Sequence, residues 1–141
     1  MSKILYAETV DGGNLPTRAN PEDAGWDLYA NHPIAIGVLG ANKPTLIRTG
    51  CKVEIPVGHF GLVTGRSSSS AVGICIWPSV IDSGYTGELC ALATSMRPTI
   101  IQRGNRVAQL IIVPIPDFVL VEGPIPKDTL RGDNGWGSSG K

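Results

Sequence analysis

The chain has 141 residues, of which 42% are hydrophobic and 17% charged, and its twelve basic and twelve acidic side chains give a formal net charge of zero. This length fits one compact domain whose core needs no disulfide or metal, and it leaves no room for a second domain. Without a basic stripe, binding to nucleic acid or to a membrane surface is not expected. There is neither an apolar stretch of about twenty residues nor a signal-peptide pattern, so we expect a soluble, cytoplasmic protein.

Short apolar segments recur along the chain between glycine, proline, asparagine and aspartate. Such segments, rich in Val, Ile and Leu, predict strands joined by turns in an all-β sandwich or barrel. One short helix is expected within RSSSSAV, where a serine would cap the free backbone amides. The predicted strands are PTLIRTGCKVEIPVG, FGLVTG, VGICIW, ELCALAT, VAQLIIVPI and FVLVEG.

We divide the chain into a single β domain, residues 1–128, and a glycine-rich C-terminal arm, residues 129–141. The arm contains too few apolar residues to add to a core, and glycine loses much conformational freedom on ordering, so it should be flexible. The three cysteines, Cys51, Cys75 and Cys90, show no CxxC spacing, and the chain has only two histidines that could join them as metal ligands. We therefore expect buried, reduced thiols rather than a zinc site.

The first polar feature is Asp27 in EDAGWDLYA, a carboxylate in a strand-like apolar context. It is either an edge-strand residue that faces water or a buried group that needs a partner. In GRSSSSAVG, Arg66 precedes serines at the predicted helix start, an arrangement that suits an oxyanion such as phosphate. Serine runs also occur in ordinary loops, so this second signal is weak alone.

The segment PSVIDSGYTGEL predicts a tight β-hairpin with Asp82 at its mouth. Asp82 is either a turn former or a base that takes a proton from water. In RGNRVAQLIIVPI, Gln109 interrupts an apolar strand, and its amide must be hydrogen-bonded to backbone or to a ligand. No common phosphate-binding loop, dinucleotide fingerprint or zinc-protease motif occurs in the chain.

Taken in order, AGWDLYA, GRSSS, VIDSGYTGE, GNRVAQLII and RGDNGWGSSG resemble the five motifs of the trimeric dUTP diphosphatases (dUTPases). The resemblance implies a jelly-roll-like β subunit in a homotrimer, with active sites at subunit boundaries. The implied reaction is hydrolysis of dUTP to dUMP and diphosphate, which clears dUTP from the nucleotide pool and supplies dUMP. The implied cofactor is Mg²⁺, held by substrate phosphates and water with no direct protein ligand.

The resemblance also implies roles for single residues. Asp82 would activate the water that attacks the α-phosphorus, and Tyr85 would pack under the deoxyribose. The hairpin backbone at Ser79, Val80 and Ile81 would read the uracil.

The resemblance likewise implies that the phosphate chain is bound by Arg66, Ser67 and Ser68. Gln109 would add a hydrogen-bond donor to the phosphate chain. Asp27 would support the site through an arginine or a metal-bound water.

In the arm, the resemblance implies that the γ-phosphate is bound by Arg131, Ser138 and Ser139. Trp136 would cover the uracil ring, and Gly137 would let the backbone approach the substrate.

Several positions depart from the family pattern. Gly65 stands in place of proline, and Asn105 in place of an acid. Ile76 replaces a residue that is usually polar, and Ser79 replaces a residue that is usually glycine. Both positions are near the base in the family, so these two changes concern uracil recognition. Trp136 replaces the commoner phenylalanine.

Two other functions stay open for the same fold. One is a dCTP deaminase, and the other is a regulatory protein that binds the nucleotide and a protein partner. The RGD at residues 131–133 also matches a cell-adhesion tripeptide, but the chain carries no secretion signal that would support this role.

Overall fold

The computed structural model describes residues 3–137. The expected all-β class with one short helix is confirmed for this part of the chain. Its elements are β1 Ala7–Thr9, β2 Gly25–Tyr29, β3 Ile34–Ile36, β4 Thr45–Arg48, β5 Cys51–Val53, β6 His59–Thr64, α1 Ser67–Ala71, β7 Ile74–Trp77, β8 Ser79–Ile81, β9 Cys90–Ser95, β10 Thr99–Ile101 and β11 Arg106–Pro114.

Two antiparallel sheets enclose the core. The larger has the strand order β2-β11-β6-β8 and the smaller β4-β9-β7, while β1 pairs with β5 and β10 with β3. Leu28, Val63 and Leu110 of the larger sheet and Ile47 and Ala91 of the smaller belong to one buried cluster. Side chains alternate between the two faces of each strand, so the inward side chains of both sheets meet in a single core. The result is a jelly-roll-like sandwich.

The larger sheet therefore has an inner face, toward this core, and an outer face, away from it. Strand β11 is the central reference, because it pairs with β2 on one side and β6 on the other. Leu110 points inward, so Gln109, Ile111 and Val113 belong to the outer face. The register places the outer-face partners of these residues in three cross-strand rows: Asp27, Gln109 and Thr64; Gly25, Ile111, Leu62 and Val80; Val113 and Phe60.

The predicted strand in FVLVEG is wrong for the single chain. After Pro114 the described residues form no further strand. Phe118, Val119, Leu120 and Val121 are 84%, 86%, 100% and 78% exposed. The segment is apolar, as expected of a strand, but no sheet edge in the described part of the chain pairs with it.

The three cysteines differ in their surroundings. All are free thiols; Cys51 is buried, Cys90 is partly buried and Cys75 is exposed, so the expectation of burial is wrong for Cys75. Burial raises the pKa of Cys51, and burial together with the nearby Glu88 carboxylate raises the pKa of Cys90. Both groups are thereby kept as neutral thiols.

Helix α1 is only five residues long. No helix within residues 3–137 has the length and apolar character needed to cross a bilayer.

Candidate active site

An ion pair anchors one polar cluster on the outer face of the larger sheet. Arg66 Nε donates to Asp27 Oδ1 at 2.9 Å, with side chains that are 24% and 17% exposed. Arg106 NH1 lies 3.8 Å from Asp27 Oδ2. Asp27 is on the edge strand β2, yet it does not simply face water, so that alternative is wrong. Two arginines neutralise a carboxylate that would be costly to cover alone.

Gln109 fixes the entry to the serine segment. Its Nε2 donates to the backbone carbonyl of Gly65 at 2.8 Å. The side chain crosses β2 at Gly25, where an added Cβ would lie 2.1 Å from Oε1. A glycine is therefore needed there. We call Asp27, Arg66, Arg106 and Gln109 the Arg66 cluster.

Helix α1 begins directly after Arg66, but a serine does not cap it. Arg66 occupies the N-cap position and makes no side-chain cap hydrogen bond, so the expected serine cap is wrong. The Arg66 carbonyl accepts from the amides of Ser69 and Ser70. Ser67 and Ser68 are exposed. Among hydrogen bonds of the described residues, their backbone amides donate none, so both remain available to a ligand.

A cavity of about 330 Å³ lies beside the Arg66 cluster. Arg66, Ser69, Asn105 and Arg106 line its polar part. Ile76 belongs to the buried core at 5% exposure and also lines the apolar part of this cavity.

The second group of expected site residues lies at the end of β8. Asp82 is exposed directly after this strand, and the Asp82 carbonyl accepts from the Tyr85 amide at 3.1 Å. The Tyr85 hydroxyl donates to the Glu88 carbonyl at 2.8 Å. An added Cβ at Gly87 would lie 2.4 Å from the Tyr85 hydroxyl oxygen, so the tyrosine ring lies close against this glycine. We call residues 82–89 the Asp82 turn.

The expected hairpin at this turn is wrong. Strand β8 pairs with β6 in the larger sheet, whereas β9, which follows the turn, lies in the smaller sheet. The turn therefore crosses between sheets. Within β8, Val80 is on the outer face and 64% exposed, and Ile81 packs against the core. Ser79 is half-buried, with its hydroxyl 3.5 Å from the Trp77 carbonyl.

One chain does not bring the two groups together. Ile81, next to Asp82, pairs with Gly61 near the start of β6, whereas Arg66 follows the end of that strand. Five residues of nearly extended chain between Gly61 and Arg66 span about 16 Å. A substrate that contacts both groups must therefore bridge chains, or one group must move.

The hydrogen bonds of the C-terminal arm are local in the described part of the chain. Arg131 Nε donates to the Asn134 carbonyl at 2.8 Å, and Trp136 is fully exposed. Trp136 and Gly137 both have positive φ, at 50° and 89°. Ser138 and Ser139 lie outside the described residues.

Sequence reasoning missed Arg106 and Gly25 as parts of the Arg66 cluster. Arg106 stands three residues before Gln109, a spacing that places two side chains on opposite faces of a regular strand, and only the bulge between Arg106 and Ala108 changes this register. Gly25 carried no signal beyond its position two residues before Asp27.

No group of three or more metal-ligating side chains occurs among residues 3–137. Both oxygens of Asp27 already face arginines. This donor set does not form a protein cage for a metal. It fits a cation whose main ligands come with the substrate.

Comparison with family models gives a match to the dUTPase model over residues 11–140. Among curated proteins, the deoxyuridine 5'-triphosphate nucleotidohydrolase of Mycobacterium marinum is 40% identical over 99% of this chain and 97% of its own length. The corresponding enzyme of Mycolicibacterium gilvum is 43% identical over 89% of this chain and 87% of its own.

Solved structures agree with these matches. A variant of the Staphylococcus bacteriophage 80alpha dUTPase with dUpNHpp superimposes with a TM-score of 0.84 at 26% identity, covering 99% of this chain and 100% of that one. A dUTPase variant from S. aureus phage phi11, described with a structural Mg(II) ion, gives a TM-score of 0.77 at 25% identity, covering 86% and 98%.

Proposed function

Because the chain belongs to the dUTPase family, we propose that it hydrolyses dUTP to dUMP and diphosphate. The observation that carries the proposal at the site is the Arg66 cluster. There, Asp27 holds the Arg66 guanidinium through Nε, so the remaining guanidinium donors are free for phosphate oxygens. Ser67 and Ser68 add hydroxyl and amide donors, and Gln109 adds its second amide proton. A cytoplasmic location, where the nucleotide pool lies, is part of this proposal.

Asp82 is the base in the proposed reaction. The water oxygen forms a bond to the α-phosphorus, and the bond from that phosphorus to the oxygen bridging the β-phosphorus breaks. Diphosphate leaves with the electron pair, and the proton of the water goes to Asp82. Because phosphoryl transfer depends mainly on positioning and charge stabilisation, the arginines and amides of the Arg66 cluster act on the developing charge.

Tyr85 selects the deoxyribose in this proposal. The hydroxyl bond to Glu88 and the close approach to Gly87 hold the ring in place. A fixed ring under the sugar leaves no space for a 2′-hydroxyl. The backbone of Ser79, Val80 and Ile81 reads the uracil.

The proposed assembly is a homotrimer with sites at the subunit boundaries. It is supported by the separation between the Asp82 turn and the Arg66 cluster, which a second chain overcomes by supplying the missing group. The arm closes over such a site: Arg131, Ser138 and Ser139 contact the terminal phosphate, Trp136 covers the base, and Gly137 allows the backbone to approach. Closure excludes water other than the nucleophile.

Mg²⁺ is the proposed cofactor, with the substrate phosphates and water as its ligands. When bound, it neutralises charge on the triphosphate and orients it. The residues of the chain bind and orient the complex of cation and nucleotide.

The experiment follows diphosphate release from dUTP, dTTP, dCTP and UTP, each with Mg²⁺ and with chelator. We expect selective hydrolysis of dUTP that chelation abolishes. Asp82→Asn should be slower by about 100-fold or more, the usual scale for loss of a general base. The control Asp117→Asn changes an exposed carboxylate outside both groups and should keep the rate.

Three outcomes would contradict the proposal. Conversion of dCTP to dUTP without diphosphate release indicates a deaminase. Tight dUTP binding without hydrolysis indicates a regulatory nucleotide-binding protein. Full activity of Asp82→Asn removes this carboxylate from the mechanism.

A further inference from the structure

Near the end of the Asp82 turn, Glu88 places a carboxylate that the proposed reaction does not use. Its side chain is only 16% exposed. We propose that Glu88 is a positioning residue: its side chain ties the turn to Gly50, and its backbone carbonyl holds the Tyr85 ring. Glu88 thereby contributes to the preference of the site for a deoxyribonucleotide over a ribonucleotide. This inference rests on the role of Tyr85 in the proposed function.

The Glu88 carboxylate is anchored on a buried backbone amide. Its Oε2 accepts from the Gly50 amide at 2.9 Å, in the bend between β4 and β5. Its Oε1 lies 3.6 Å from Arg48 NH1, and the Arg48 side chain is 58% exposed. An ion pair with an exposed arginine contributes little, whereas a hydrogen bond from an amide to a charged acceptor is strong. The Gly50 amide is therefore the main anchor of this carboxylate.

The backbone at Gly50 is a fixed reference point. Its φ is 66°, a left-handed conformation that favours glycine. An added Cβ would lie 2.7 Å from Asn31 Cγ and 2.7 Å from Gly13 Cα. The Gly50 carbonyl accepts from the Val10 amide at 2.8 Å. Because Gly50 is enclosed by three other parts of the chain, a group that binds its amide is held in one place.

The peptide group between Glu88 and Leu89 is held on both of its sides. Its carbonyl accepts from the Tyr85 hydroxyl at 2.8 Å, and its amide donates to the Cys51 carbonyl at 2.8 Å. Leu89 is fully buried, whereas residues 82–86 are exposed. The hydrogen bond from Tyr85 thus connects the exposed part of the turn to the buried part of the fold. The position of the Tyr85 ring therefore depends on where residue 88 lies.

Loss of the carboxylate would act on the sugar contact. Without it, the buried Gly50 amide has no acceptor among the described residues, an arrangement that is unfavourable. Residue 88 then shifts to admit water, and the Tyr85 ring moves with the carbonyl that holds it. Since the ring excludes a 2′-hydroxyl by contact, a small displacement opens space for ribose. Asp82, which activates water, lies at the other end of the turn.

The test compares Glu88→Ala with Glu88→Gln, whose amide oxygen can still accept from Gly50. The measured quantity is the ratio of kcat/KM for dUTP to that for UTP. The matched control is Glu54→Ala, which removes an exposed carboxylate beside the same turn that makes no hydrogen bond or ion pair within residues 3–137. Arg48→Gln tests the ion pair separately.

We expect Glu88→Ala to lower this ratio by on the order of tenfold, and Glu88→Gln, Arg48→Gln and Glu54→Ala to keep it within about twofold. If Glu88 only stabilises the fold, its loss lowers both values of kcat/KM together and leaves the ratio unchanged. That outcome would overturn the inference. A tenfold fall in Arg48→Gln would contradict the Gly50 amide as the anchor.

A double-mutant cycle shows whether Glu88 acts through the tyrosine. Tyr85→Phe removes the hydroxyl that donates to the Glu88 carbonyl. Both substitutions release the same ring, so Glu88→Ala added to Tyr85→Phe should change the ratio by no more than about twofold. Two independent tenfold effects that multiply would assign the effect of Glu88 to a different contact.

A binding measurement separates this inference from the proposed function. Dissociation constants of dUMP and UMP, measured by calorimetry, require no turnover, and the preference for dUMP should fall in Glu88→Ala as the kinetic ratio does. A chain that hydrolyses no dUTP but shows this fall refutes the function and supports the inference. Selective dUTP hydrolysis with an unchanged ratio in Glu88→Ala refutes the inference alone. A wild type that does not distinguish dUMP from UMP also overturns it.

Discussion

Gly25 has no side chain at the point where the Gln109 amide crosses β2. An added methyl group would lie 2.1 Å from Gln109 Oε1 and 2.9 Å from its Cδ. Gly25→Ala should therefore push the amide away from the Gly65 carbonyl, at a cost of about 1–3 kcal/mol. Since Gln109 positions the segment that leads to Arg66, we expect kcat/KM for dUTP to fall on the order of tenfold.

The control for this prediction is Gly123→Ala, where an added methyl group meets nothing within 4 Å. Steady-state kinetics and chemical denaturation measure the two effects. If Gly25→Ala keeps the wild-type kcat/KM, the position of Gln109 is unimportant for the reaction. The sequence indicated Asp27 and Gln109 as polar groups in apolar strands. It did not identify Gly25, because a close approach between strands depends on tertiary register.

At the level of elements, the Asp82 turn depends on a second close approach. An added Cβ at Gly87 would lie 2.4 Å from the Tyr85 hydroxyl oxygen and 2.6 Å from Cζ. Gly87→Ala must therefore displace the ring that the hydroxyl bond to Glu88 holds. If the ring excludes the 2′-hydroxyl, this substitution lowers the preference for dUTP over UTP by on the order of tenfold, equivalent to about 1.4 kcal/mol.

The measurement is the ratio of kcat/KM for dUTP to that for UTP. Gly84→Ala is the matched control in the same turn, since an added methyl group there meets nothing within 4 Å. A ratio unchanged in Gly87→Ala but lowered in Gly84→Ala would assign sugar selection to another contact.

The strands were predictable where a short apolar run pairs within the chain, as for VAQLIIVPI. Composition identified such runs, but it did not determine their partners. The sequence DSG correctly indicated a tight turn at Asp82, yet turn chemistry does not specify which sheet receives the next strand. The same limit explains FVLVEG, whose apolar residues are exposed because no strand within residues 3–137 is its partner. Strands of three residues, such as β1 and β3, are too short for a period to appear.

Across the whole molecule, a net charge of zero conceals a separation of charge: Arg66 and Arg106 lie in the Arg66 cluster, whereas Glu8 and Glu54 line the cavity beside the Asp82 turn. Composition excluded a basic surface, but only the fold shows which residues share an end of the sheet. The two groups lie about 16 Å apart along β6. The order of the motifs in the sequence was enough to indicate a family. How the motifs are arranged in one site could be seen only from the strand register.

In the proposed function, the contribution of the arm depends on the rest of the assembly. In the described residues its hydrogen bonds are local, including Arg131 to Asn134, and Trp136 is fully exposed. Deletion of residues 129–141 should therefore leave the melting temperature and the proposed trimer unchanged. It should reduce kcat/KM for dUTP by about 100-fold or more, because the closed site loses an arginine and its exclusion of water.

Trp136→Ala should reproduce part of this loss in kcat/KM. Trp136→Phe keeps an aromatic face and should therefore retain most of the wild-type kcat/KM. The conformational change has its own readout, since trypsin cleaves after Arg131 while the arm is open. With dUpNHpp and Mg²⁺, closure over the nucleotide should slow this cleavage in the wild type and much less in Trp136→Ala. A truncated chain that melts at a lower temperature, or cleavage that the nucleotide does not affect, would show that the arm stabilises the fold and does not close over substrate.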